Sequence, residues 1–171
     1  MLKAVIIDDE KDSREILATY LNKYCPDVEV CGFGESVSTG LETIRKHEPD
    51  VVFLDIEMPY GNGFDLLEKA APVSFETVFV TAFDNYALQA LNQSAAYYLL
   101  KPIDIDELTH AVSRIQKEKS ENHLSRHSKL LLENLKNPSL QTQRIMLPTM
   151  EGFEIVPVRT IMYCEADHNF T

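Results

Sequence analysis

The sequence is short of several things, and each shortage narrows the reading. Cysteine occurs only at Cys25, Cys31 and Cys164. The count is odd and no C-x-x-C spacing is present, which argues against a disulfide framework or a thiolate zinc site and for reduced structural thiols in a cytosolic protein. No apolar run approaches the ~20 residues that a membrane-spanning helix needs. No basic, cleavable leader precedes the first strand-like segment, so no secretory signal is expected. Bases are outnumbered: 16 Lys and Arg stand against 27 Asp and Glu, a formal net charge of −11. Almost all of the acidic excess falls in the first 120 residues, and the tail is near neutral. Neither part carries the clustered Lys and Arg that a phosphate backbone requires. No internal repeat is present.

What is there is a succession of short apolar runs. Each ends in a polar residue. Val5-Ile6-Ile7 leads into Asp8-Asp9-Glu10, Val51-Val52-Phe53-Leu54 into Asp55, Val78-Phe79-Val80 into Thr81-Ala82, and Tyr97-Tyr98-Leu99-Leu100 into Lys101-Pro102. Four apolar residues in a row read as a strand buried on both faces. Strands are expected at 3–7, 28–33, 51–54, 77–80 and 96–100. Helices are expected between them: about 13–24 with Asp12 or Ser13 as cap, from Ser36 or Ser38 to about His47, a short one after Asn62, and one after Asp84 or Asn85. A fifth, capped by Asp104, carries Ile105, Leu108, Val112 and Ile115. Alternating strands and helices with short connections predict an α/β fold, a (βα)5 doubly wound parallel sheet of order 2-1-3-4-5 with right-handed crossovers. In such a sheet ligands bind outside the carboxyl ends of the strands at the switch point, next to Asp8, Asp9 and Asp55.

After Ile115 the apolar stripe lapses. Lys119 and Asn122 stand where a heptad seam needs apolar residues, so a continuous coiled coil is not expected. A helical linker in two pieces is, with a boundary at Asn137-Pro138-Ser139. Three β-like runs follow: Ile145-Met146-Leu147, Phe153 to Val158, and Ile161-Met162-Tyr163-Cys164. Fewer than thirty residues of strand cannot bury a core of their own. They read as the start of a second, β-rich domain. The expected division is 1–118, 119–142 and 143–171.

Three carboxylates and an ammonium on one rim have a clear chemistry. The acids repel one another unless a cation joins them, and Mg2+ suits an all-oxygen set. Asp9, Asp55 and the Glu57 backbone carbonyl are the direct ligands expected, with Asp8 acting through water. A carboxylate beside Mg2+ stays ionised and can attack phosphorus, giving an aspartyl phosphate. Phosphoryl transfer needs its equatorial oxygens neutralised. The cation serves one, Lys101 a second, and the Thr81 hydroxyl with the Ala82 N–H a third. Each residue alone would more often be a cap, a strand end or a solvated charge. Their common placement at one end of the sheet carries the reading.

Residues 1–118 resemble the receiver domain of bacterial two-component response regulators, a flavodoxin-like fold. The resemblance rests on Asp8-Asp9, Leu54-Asp55-Ile56-Glu57-Met58-Pro59 with Gly63, Thr81-Ala82, and Ala96 to Pro102. It implies that Asp55 is the phosphoacceptor of a sensor histidine kinase. It also implies that the Lys101–Pro102 bond is cis, and that Thr81 and Tyr98 are the switch pair. The face of the fourth helix, fifth strand and fifth helix (84–115) would then dimerise on phosphorylation. Glu57 and Phe83 would flank the path of attacking water, and the bulk of Phe83 implies slow dephosphorylation. The protein would be a cytoplasmic phosphoacceptor switch rather than an enzyme.

Residues 143–171 resemble the start of a LytTR-type DNA-binding domain, through Arg144-Ile145, Ile155-Val156-Pro157-Val158 and Ile161 to Thr171. That implies transcription regulation, with DNA bound only through a full-length output domain. Two other readings remain open here. Output could act through protein–protein contacts alone. A phosphatase of the haloacid-dehalogenase type also uses an aspartyl phosphate, but it resembles D-x-D-x-[TV] after its first strand, where this chain has Asp8-Asp9-Glu10-Lys11.

Overall fold

In the computed structural model the residues described are 1–82, 97–121, 125–136, 144–149 and 152–162. The strands are β1 (Leu2–Ile7), β2 (Val28–Gly34), β3 (Val51–Leu54), β4 (Glu57–Met58), β5 (Gly61–Asn62), β6 (Glu76–Thr81), β7 (Tyr97–Leu100), β8 (Arg144–Thr149) and β9 (Gly152–Pro157). The helices are α1 (Lys11–Tyr24), α2 (Val37–His47), α3 (Gly63–Ala70), α4 (Ile105–Ser120) and α5 (Arg126–Lys136). Five strands form one parallel sheet in the order β2-β1-β3-β6-β7. With the two-residue strands β4 and β5 set aside, this is the expected order 2-1-3-4-5. The helix expected after Asp84 or Asn85 lies outside the described residues.

The sheet is covered on both faces, and its central strands are buried along their whole length. Every residue of β3 and β6 is buried. On one face Leu17 and Leu21 of α1 pack with Leu108, Ala111, Val112 and Ile115 of α4. On the other, Leu66 and Leu67 of α3 pack with Val5, Ile7, Val52 and Leu54. Ser36 and Asn62 close capping boxes at the starts of α2 and α3, and Asp104 accepts from the Asp106 and Glu107 N–H groups at the start of α4. Glycine lets α2 come close to β2. A Cβ on Gly34 would meet the Gly40 backbone at 2.8 Å, and one on Gly40 would meet Leu66 at 2.7 Å. The Lys101–Pro102 bond is cis, as is Ala71–Pro72.

Two expectations are corrected. Helix α1 starts at Lys11, not at 13, and neither Asp12 nor Ser13 caps it. Glu10 is its N-cap residue and makes no side-chain cap bond. Instead the Glu10 carboxylate accepts from Ser13 Oγ at 2.8 Å and from Lys101 Nζ at 3.3 Å. The segment 158–162 is not strand. Val158–Thr160 forms a 3-10 turn, and Ile161 and Met162 follow without regular structure. The remainder of that run lies outside the described residues.

The polar stretch after Ile115 is helical in two pieces, and both pieces are docked on the domain. Helix α4 runs on to Ser120, since its last-turn charges have partners in the domain. Lys119 Nζ reaches Asp50 Oδ2 at 2.6 Å and the Met1 carbonyl at 3.0 Å. Glu118 turns inward, where Tyr97 Oη donates to its Oε1 at 2.8 Å. Helix α5 then folds back onto the sheet. Leu130, Leu131 and Leu132 join the apolar cluster of β1, β3 and α3. Glu76, fully buried at the start of β6, accepts from the His127 and Ser128 N–H groups at 3.3 Å each. A carboxylate there satisfies donors that a helix start leaves open and complements its dipole. His127 Nδ1 lies 3.3 Å from Glu118 Oε2 and 3.7 Å from Glu76 Oε1. Burial alone would lower the imidazole, but the carboxylates of Glu118 and Glu76 beside it prevail and push it up to about 9. The second piece of the expected linker is thus integrated into the base of the sheet.

Strands β8 and β9 pair as an antiparallel hairpin, with Arg144 opposite Pro157 and Thr149 opposite Gly152. No described helix is long and apolar enough to cross a membrane.

Candidate functional site

Four parallel strands deliver the site. Their carboxyl ends are held level by backbone bonds. The Asp55 N–H donates to the Ile7 carbonyl at 2.8 Å, and the Lys101 N–H donates to the Thr81 carbonyl at 2.9 Å. Asp8, Asp55, Thr81 and Lys101 therefore emerge together. An open cleft of about 780 Å³ lies above them, lined by Asp9, Glu10, Asp55, Glu57, Thr81, Ala82 and Lys101 among others.

Lys101 is the hub. Its ammonium lies 2.7 Å from Asp55 Oδ2, 2.8 Å from Asp8 Oδ2 and 3.3 Å from Glu10 Oε2. Asp55 Oδ1 accepts the Glu57 N–H at 3.1 Å, and Asp8 Oδ1 accepts the Glu10 N–H at 2.9 Å. Both carboxylates are thus oriented by the loop that follows them. Burial raises the Asp8 carboxyl above its ordinary value, against the lowering pull of Lys101. Burial alone would lower the Lys101 ammonium, but its hydrogen bonds to Asp55 and Asp8 outweigh that and hold it above the ordinary lysine range. Glu10, exposed, is lowered by Ser13 first and Lys101 second.

The loop after Asp55 owes its path to glycine. A Cβ on Gly63 would sit 2.7 Å from the Asp55 carbonyl oxygen. The Gly63 N–H donates to the Ile56 carbonyl at 2.9 Å, and β4 pairs with β5 across the turn. Gly61 takes φ +154° and Tyr60 φ 64°, so the reversal uses positive φ at two successive residues.

Asp8, Asp9 and Asp55 each offer an oxygen within 4.8 Å of the others. An all-carboxylate cluster with excess negative charge has the hard-oxygen character that Mg2+ prefers. In the structure Lys101 bridges two of the three acids. Of the expected residues, Asp9, Asp55, Glu57, Thr81, Ala82 and Lys101 line the cleft, and Asp8 joins them through Lys101. Tyr98 does not line it. It is half-buried on β7 opposite Phe79, packed against the apolar cluster below. Phe83 lies outside the described residues.

Sequence reading missed two contributors. Glu10 is the third acid on Lys101. Arg14 donates to the Asp8 carbonyl and, at 3.1 Å, to the Asp9 carbonyl, tying the acidic turn to the first turn of α1. An Arg four residues into a helix behind an acidic turn was the available signal.

The family described as response regulator receiver domain matches residues 4–113. An uncharacterized response regulatory protein of Vibrio cholerae is 38% identical over 168 residues, 98% of this chain and 66% of that protein. Sensory transduction protein LytT of Bacillus cereus is 32% identical over 167 residues, 95% of this chain and 65% of that protein. The chain therefore spans slightly less than two thirds of these relatives. Among solved structures, the signal receiver domain of the putative response regulator NarL from Mycobacterium tuberculosis is similar with a TM-score of 0.59 and 31% identity, covering 68% of this chain and 96% of that one.

Proposed function

The chain belongs to the response regulator receiver family, and from that premise we propose that Asp55 is its phosphoacceptor, written by a sensor histidine kinase. The observation that carries this reading is the Lys101 ammonium, 2.7 Å from Asp55 and 2.8 Å from Asp8 at the floor of an open cleft. One Asp55 carboxylate oxygen attacks the phosphorus of the donor's phosphohistidine. The new O–P bond forms as the P–N bond breaks, and the leaving imidazole keeps the electron pair. The residues that would hold Mg2+ are Asp8, Asp9, Asp55 and the Glu57 carbonyl. When bound, Mg2+ supplies positive charge to a phosphoryl oxygen. Lys101 neutralises a second oxygen. The Thr81 hydroxyl and the Ala82 N–H serve the third.

Lys101 and the loop N–H of Glu57 hold Asp55 in one orientation before the donor arrives, so little reorganisation precedes attack. Thr81 at the end of β6 and Tyr98 within β7 read the result. Phosphorylation then favours a homodimer through the face that includes β7 and α4.

The whole protein is a cytoplasmic transcription regulator. Its receiver spans 1–118, a linker 119–142 and the start of a LytTR-type domain 143–171. The likeness to LytT along 95% of the chain supports that output. DNA is bound through the full-length output domain, not by this part alone. The receiver acts as a phosphoacceptor switch and helps only its own phosphorylation and dephosphorylation.

The test is labelling by a small phosphodonor such as a phosphoramidate with Mg2+, read by intact mass. One phosphoryl group per chain is expected in the wild type and none in Asp55→Asn. Stoichiometric labelling of Asp55→Asn overturns the assignment.

A further inference from the structure

At the opposite end of the sheet from the cleft, three side chains from three elements meet out of solvent. Glu76 opens β6, Glu118 lies near the end of α4, and His127 is in the first turn of α5. All three are buried, and each offers a ligand atom within 4.8 Å of the others. We propose that Glu76, Glu118 and His127 form a buried site for one divalent transition-metal ion of the zinc type, which clamps α5 to the base of the receiver. This does not depend on the role given to Asp55.

Spacing is the first argument. His127 Nδ1 stands 3.3 Å from Glu118 Oε2 and 3.7 Å from Glu76 Oε1. Charge-assisted N–H···O bonds are shorter, about 2.7–2.9 Å. Ligand atoms at about 2.0–2.1 Å from a tetrahedral zinc lie roughly 3.3–3.4 Å apart. The Glu118 separation matches that spacing, and the Glu76 separation exceeds it by a few tenths of an ångström.

Satisfaction is the second. Glu118 Oε2 is buried, points into this cluster and has no hydrogen bond among the described residues. The outward-facing oxygens are held. Tyr97 Oη donates to Glu118 Oε1 at 2.8 Å, and the Ser128 N–H donates to Glu76 Oε2 at 3.3 Å. Such outer contacts fix ligand carboxylates in metal sites.

Charge is the third. Two carboxylates and one imidazolium carry a net negative charge in a buried site, offset in part by the start of α5 and by Arg114, which lies over the Tyr97 ring at 5.2 Å. A divalent ion with a neutral imidazole balances two carboxylates. The nitrogen donor disfavours Mg2+ and Ca2+, which take oxygen, and favours zinc and its neighbours. Three protein ligands leave the fourth position to water.

The test uses the full chain in excess Mg2+, which saturates the acidic cleft. Zinc retained after desalting is measured for the wild type, Glu118→Gln, His127→Gln and Asp55→Asn, alongside the visible spectrum with Co2+. One zinc per chain is expected in the wild type and in Asp55→Asn, with affinity at least about tenfold lower in the other two. Co2+ should show four-coordinate bands without thiolate charge transfer. Three results overturn the proposal: no zinc retained by the wild type, equal retention in Glu118→Gln and His127→Gln, or loss of zinc only in Asp55→Asn. If circular dichroism shows that either cluster variant does not fold, the wild-type cobalt spectrum decides. Octahedral or thiolate-ligated Co2+ then overturns it.

Discussion

Replacing His127 by Gln in metal-free protein should cost stability in a pH-dependent way, and the structure sets the size. The imidazole is pushed up from 6.5 to about 9 by Glu118 and Glu76. A folded value above the unfolded one means that the fold binds the proton more tightly. The stabilisation is therefore complete below about pH 6.5 and disappears as the pH rises through 9. A span from 6.5 to about 9 corresponds to on the order of 3 kcal/mol at pH 6, most of it surviving at pH 7 and almost none at pH 10. Urea melts with a chelator present, followed by circular dichroism from pH 6 to pH 10, give the difference between wild type and His127→Gln at each pH. That difference should shrink by on the order of 3 kcal/mol across the range. Any packing lost with the imidazole adds a constant offset. Tyr97 does not confuse the result, since burial first and Glu118 second push its phenol far above the ordinary tyrosine range. A gap that stays constant, or widens towards pH 10, would refute the claim that a protonated His127 holds α5 in place.

The remaining predictions concern the cleft and the packing around it. Lys101→Met leaves Asp8 and Asp55 buried without their cation, so thermal melts in chelator should show a loss of about 3 kcal/mol, and Mg2+ should restore much of it. Gly63→Ala forces a Cβ within 2.7 Å of the Asp55 carbonyl, so phosphodonor labelling should slow while α2 and the sheet persist by circular dichroism. Asn62→Ala opens the capping box of α3 and should cost about 1 kcal/mol in urea melts. Leu131→Ala removes a fully buried side chain of α5. If α5 is part of the core, the loss should be about 2–5 kcal/mol, whereas an undocked linker would lose almost nothing.

The cleft was legible in the sequence because each of its residues directly follows an apolar run. In a parallel sheet every run ends on the same rim, so order along the chain becomes proximity in space. The caps Ser36, Asn62 and Asp104 were legible for a similar reason, since each acts within three residues of itself. The start of α1 was not. The Glu10 carboxylate serves a lysine 91 positions away, and local capping rules carry no trace of that. Glu118 and His127 misled in the same manner. Polar residues in a helical stretch read as solvated, but these two are buried because each finds charge on another element. The 3-10 turn at Val158–Thr160 was hidden because β-branched residues flank it and look like continuous strand.

Strand β6 has one further consequence. Thr81 stands at one end beside the cleft, Glu76 at the other holds the first turn of α5, and all six residues are buried. Five residue steps at roughly 3.3 Å each put about 16 Å between those ends. In mechanical terms the strand is a tie rod: fastened at both ends, flanked by β3 and β7, with no slack to absorb a displacement. A displacement at one fastening would reach the other unless the flanking strands yield. An engineer wishing to uncouple the two ends would leave both intact and place the compliance in the middle, at Val78 or Phe79.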